Sequence, residues 1–214
     1  MVPTERIIRI EQNEDLAKVV TMIAVVEEEQ ATGTVAEAYE GYRKHFGRQT
    51  VPGILKCFAT HPPLLEQMIS LASTMLFVDG HLSRKVKEMI ATQVSALNSC
   101  PYCLDSHSSF LRSCGGNENL LLSLSTGKLD DPSISPSERS LLKFVAKVTL
   151  ESHKISPADI NVLNDAGWDQ LAIAEGVHIA GLFAFFNRVA NAFGLQSQHL
   201  SDLNTASFGP REEQ

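Results

Sequence analysis

In the stretch RKVKEMIATQVSALNSC, residues 84–100, the apolar side chains Val86, Ile90, Val94 and Leu97 recur every three or four positions and share one stripe of an α-helix. Almost every other segment of the 214-residue chain reads the same way. Helices are expected at 34–46, 53–60, 63–77, 83–97, 101–113, 117–126 and 136–152, with another opening at Ser156 and a long one over 169–193 that Gly194 ends. Thr34-Val35-Ala36-Glu37 and Ser135-Pro136-Ser137-Glu138 read as capping boxes, in which a cap hydroxyl and a carboxylate three residues on satisfy each other's orphan amides. Ser156-Pro157-Ala158-Asp159 repeats the start signal. Breaks fall at His61-Pro62-Pro63, Asp79-Gly80, Gly115-Gly116, Asp130-Asp131-Pro132 and Ala166-Gly167, where turn chemistry places them. No convincing set of alternating strands is present; RIIRIEQ at 6–12 is the one short candidate. The pattern predicts an all-α fold, a compact bundle of about eight or nine helices with short loops.

A single domain is expected, because the polar segment GKLDDPSISP at 127–136 is too short to separate two. Residues 1–30 read as an N-terminal arm and 204–214 as a flexible tail, segments of the kind that reach onto a partner chain. The formal charge of −7 makes the chain a poor general binder of nucleic acid or of anionic membrane. The N-terminus, MVPTERIIRIEQNEDLAKVV, lacks the basic-then-apolar order of a secretory signal, so a cytoplasmic location is expected. The apolar run GVHIAGLFAFF at 176–186 is about half of the roughly 20 residues a membrane span needs and reads as a buried core helix. His178 within it reads as a buried, hydrogen-bonded core histidine.

Four cysteines in a reducing compartment argue against structural disulfides and turn attention to the one close pair, in SCPYCLDSHSSF. Pro101 suits the first position of a helix, which makes Cys100 the cap and Cys103 the third helical residue. Both sulfurs then lie beside the unpaired amides of the first turn, an environment that lowers a thiol pKa from about 8.5 toward 7 or below. His107 stands one turn beyond Cys103 on the same face, placed to exchange a proton with that thiol, and Cys100 is placed to resolve an oxidised Cys103 as a disulfide. Zinc held by Cys100, Cys103 and His107 is an alternative that lacks an evident fourth ligand, and a merely structural pair is the other. The proline and the histidine favour the redox dithiol. Cys57 reads as core; Cys114, roughly 16 Å along the helix axis from Cys103, is too far to pair with it. No Gly-x-Ser-x-Gly turn accompanies Ser106 or Ser108, which removes a serine hydrolase.

Glu88 lies opposite the apolar stripe of its helix, beside Thr92 and Ser95, and by periodicity alone would be solvated. Its spacing gives Glu-x11-Cys-x-x-Cys-x3-His from Glu88 through Cys100 and Cys103 to His107, a pattern that resembles the alkylhydroperoxidase AhpD-like group of the carboxymuconolactone decarboxylase family. The segments VPGILKCFATHPPLLEQMISLASTML and LLKFVAKVTLESHKISPADINVLNDAGWDQLAIAEGVHIAGLFAFFNRVANAFGL extend the likeness over residues 30–195.

The resemblance implies a peroxidase that reduces hydroperoxides without a bound cofactor or metal. Cys103 is then the peroxidatic thiol, Cys100 the resolving thiol, and Glu88 and His107 a proton relay. It also implies an external lipoyl or thioredoxin-like dithiol as reductant and a homo-oligomeric assembly of trimer, hexamer or dimer. It demands that the polar face of helix 83–97 turn inward. Tyr102 departs from the family's best-known member, which has a histidine there. A thiol–disulfide sensor and a lactone decarboxylase are the rival functions.

Overall fold

In the computed structural model, residues 21–200 are described and form nine α-helices with no strand among them. These are α1 (Gly33–Phe46), α2 (Gly53–Phe58), α3 (Pro62–Met75), α4 (Arg84–Leu97), α5 (Pro101–Ser113), α6 (Glu118–Thr126), α7 (Pro136–Glu151), α8 (Pro157–Asp165) and α9 (Gln170–Phe193). The expected all-α class is the observed one. The strand candidate at 6–12 and the tail at 204–214 lie outside the described residues.

Helix α4 is the axis of the fold, packing on α5, α6, α7 and α9. Every residue from Val86 to Ser95 is buried, so this helix has no solvated side. Its apolar stripe enters the main core, and the polar residues opposite must find partners inside the protein. Lys87 does so at the Glu175 carboxylate, 2.6 Å away, and the other Glu175 oxygen accepts the Leu82 amide at 2.7 Å.

The capping box at Ser135 forms as expected, with Glu138 N donating to Ser135 Oγ at 3.1 Å and Ser135 N to Glu138 Oε2 at 2.8 Å. At Ser156 the Asp159 carboxylate closes an equivalent box. The box expected at Thr34 does not form: α1 begins at Gly33 behind Thr32, and no side chain caps it. Helix α9 starts on Asp169, which accepts from Ala172 N at 2.7 Å, and ends at Gly194 with φ +75°.

By length and composition α9 would suffice to cross a membrane. In the fold, Ile179 and Phe183 on its inner face are fully buried. His178 is exposed, contrary to the expectation of a core histidine. It stands one heptad from Leu171 and one from Phe185, both exposed, and shares their outward stripe.

The described part of the N-terminal arm lies on its own chain, with Met22 N donating to Phe193 O at 2.8 Å and the Tyr39 hydroxyl to Val26 O at 2.8 Å.

Candidate active site

The dithiol forms the N-terminus of α5, with Cys100 at the cap and Pro101 at the first helical position. Both sulfurs are reduced and buried, and Tyr102, Leu195, Ala190 and Cys57 pack around them. The two cysteines shift each other's acidity in opposite directions. The Cys103 thiol donates to Cys100 and, with the backbone amides of Cys103 and Tyr102 and the side chain of Asn187 adding to it, holds Cys100 below the ordinary thiol value of 9. Those amides lie close enough to favour the thiolate without closing a full cap hydrogen bond. The same bond to Cys100, followed by burial, pushes Cys103 well above that value. The sequence reading expects the first turn of α5 to favour the thiolate at both sulfurs; in the structure the shifts run in opposite directions, with Cys100, at the cap position of α5, the more acidic of the two.

Glu88 is fully buried, so the polar face of α4 does turn inward. Its Oε2 is 2.6 Å from His107 Nδ1, joining α4 to α5. Its Oε1 receives Arg84 Nε at 2.8 Å and Nη2 at 2.7 Å from one turn earlier on α4. A carboxylate fixed on Nδ1 sets the imidazole orientation and, when the ring is neutral, leaves Nε2 as the basic nitrogen. Phe110 and Phe183 meet the ring edge-on at 5.1 and 4.5 Å and hold it in that plane. Arg84 in turn lies over the Phe77 ring at 4.6 Å.

Cys103 and His107 open on one cavity of about 90 Å³, and Cys100 is not among its lining residues. The walls are mainly apolar, including Phe58, Met68, Phe77 and Phe186. Tyr102 forms part of the wall, and its hydroxyl accepts the Ile54 amide at 3.3 Å. Burial pushes that phenol far above its ordinary value, so it ties α5 to the start of α2 and is unsuited to proton transfer. Among the described residues no group of three or more His, Cys, Asp or Glu is arranged to hold a metal ion.

Asn187 is a site residue that the sequence reading did not single out. It is fully buried, accepts from Asn98 Nδ2 at 2.9 Å, donates to Ser95 Oγ at 3.2 Å, and favours the thiolate at both cysteines. A lone asparagine in the apolar run AFFNRVA was the available signal.

Residues 62–121, which carry α3, α4, the dithiol helix and part of the cavity wall, match the carboxymuconolactone decarboxylase family. The fold is like that of an alkylhydroperoxidase AhpD core. An alkyl hydroperoxide reductase of Mycobacterium tuberculosis is 35% identical over 99 residues, covering 46% of this chain and only 28% of that relative. A structure described as an alkylhydroperoxidase AhpD core, a peroxidase-related protein from Ralstonia eutropha, superposes with a TM-score of 0.76 at 24% identity over 86% of this chain and 97% of its own. A peroxidase-related protein from Silicibacter gives 0.68 at 26% identity, covering 95% of both chains. The debrominase Bmp8 also shares the fold, with a TM-score of 0.60 at 17% identity over 86% of this chain and 94% of its own, so the AhpD-like fold alone does not fix the reaction.

Proposed function

We propose that this protein is a thiol-dependent peroxidase that reduces organic hydroperoxides through Cys103 and Cys100. The observation that carries this reading is the convergence of Cys103 and a carboxylate-oriented His107 on one apolar cavity. The peroxidase-related descriptions of the similar proteins above support it.

In the reduced pair Cys100 is the more acidic thiol and Cys103 holds its proton more tightly. The Cys103 proton moves to His107 Nε2, where Glu88 stabilises the imidazolium. The Cys103 thiolate attacks the terminal peroxide oxygen; an S–O bond forms, the O–O bond breaks, and the departing alkoxide takes the proton from His107 and leaves as alcohol. The Cys100 thiolate then attacks the sulfenic sulfur of Cys103. The S–S bond forms as the S–O bond breaks, and the released hydroxide takes a proton from solvent and leaves as water. An external dithiol of lipoyl or thioredoxin type returns two electrons by exchange with the disulfide.

Cys103→Ser is expected to abolish hydroperoxide consumption in a coupled assay. Cys100→Ser is expected to allow one turnover and then accumulate sulfinic acid at Cys103. Wild-type turnover by Cys103→Ser overturns the proposal.

A further inference from the structure

Asp105 sits between Cys103 and His107 on α5 and takes no part in the chemistry above. Its Oδ2 accepts two backbone amides from the far end of the chain, Gln198 N at 2.9 Å and Leu200 N at 3.2 Å. Those residues follow α9. After the helix stops at Gly194, Leu195 turns inward onto Cys100, Tyr102 and Cys103, and the side chains of Gln198 and Leu200 complete the cavity wall. His199, between the two tethered amides, is held at φ +51°, a left-handed conformation that a non-glycine residue rarely adopts without outside constraint. A single carboxylate oxygen thus holds a segment more than ninety residues away across the dithiol.

The consequence is steric. Cys100 is 1% exposed and Cys103 4%, and the cavity of about 90 Å³ admits a compact molecule. We propose that Asp105 is a specificity-determining positioning residue: by tethering residues 198–200 it forms the outer wall that restricts access to Cys103 to compact reagents. For the peroxidase reading, on which the choice of substrate rests, the class is a hydroperoxide with a compact apolar body. Bulky hydroperoxides and dithiols carried on large partners reach the sulfurs only with the wall displaced.

The test separates the wall from the peroxidase reading by measuring thiol access. In a reduced Cys57→Ser, Cys114→Ser background, iodoacetamide and a bulky fluorescein maleimide are compared for their rates of reaction with the dithiol, each relative to its rate with free cysteine. The parent protein is expected to disfavour the bulky reagent strongly. Asp105→Ala should reduce that discrimination about tenfold, and Asp105→Asn, whose amide oxygen still accepts both backbone amides, should restore most of it. Leu200→Ala, which trims the wall without altering α5, should shift discrimination in the same direction as Asp105→Ala, and it decides the question if Asp105→Ala does not fold. Discrimination within twofold of the parent in folded Asp105→Ala, or in Leu200→Ala where Asp105→Ala does not fold, overturns the proposal. A parent protein that discriminates yet consumes no hydroperoxide would leave the wall standing and remove the peroxidase.

Discussion

The fully buried Glu88 carboxylate persists because each of its oxygens has a partner, Arg84 on one and His107 on the other. Removing one member of such a buried group strands the charge of the others. Glu88→Ala is therefore expected to lower unfolding stability by about 3–5 kcal/mol in a denaturant titration. Glu88→Gln keeps the volume but loses the anion that stabilises the His107 imidazolium; kcat/KM for a hydroperoxide should fall by about 10²–10⁴-fold. Asn187 acts on the other side of the site. Because its side chain favours the thiolate at both cysteines, Asn187→Leu should move the first thiol titration, followed by ultraviolet thiolate absorbance, to higher pH. A titration unchanged by that substitution would show that the asparagine is only a packing residue.

Helix ends carry the next set of expectations. Gly115 and Gly116 close α5 by donating back to Arg112 O and Leu111 O at 3.0 and 2.8 Å, a paired turn that satisfies two orphan carbonyls. A Cβ on residue 116 would stand 2.7 Å from Leu111 Cγ and 2.9 Å from Leu111 O, so Gly116→Ala should cost about 1–3 kcal/mol in the same denaturant titration. At the α7–α8 junction Lys147, then the Ser156 amide and hydroxyl, hold the Asp159 carboxyl at about 2, against an ordinary 3.8. The folded chain thus binds this proton less readily than the unfolded chain. Asp159 stabilises above the ordinary value, and its contribution is lost as pH falls toward 2. Thermal melts between about pH 5 and pH 2 should show a smaller acid-induced drop for Asp159→Asn than for the parent.

These elements were largely readable in the sequence because caps, prolines and glycines act locally: Ser135, Asp130-Asp131-Pro132, Gly115-Gly116 and Gly194 all mark observed boundaries. Thr34 misled because a capping pattern also fits the second residue of a helix that begins one position earlier, at Gly33. Glu88 was out of reach of periodicity, which reports how many sides of a helix are apolar and is silent on whether its polar side faces water or buried partners. The opposite shifts of Cys100 and Cys103 were equally hidden, since they depend on the contact between the two sulfurs and on burial.

Over the whole molecule, α4 and α5 bring together the Glu88 carboxylate, the His107 imidazole and the Cys103 thiol, and α9 and the segment after it cover them. The sulfurs differ in their surroundings. Cys103 lines the cavity, whereas Cys57 does not, and burial pushes the Cys57 thiol up to about 12. Treatment with a slight excess of a compact alkyl hydroperoxide, followed by alkylation, proteolysis and mass analysis, reads this difference. A Cys100–Cys103 disulfide with Cys57 and Cys114 alkylated is the expected product. Cys100 and Cys103 recovered as free thiols after the hydroperoxide has been in contact with folded protein would contradict the peroxidase reading.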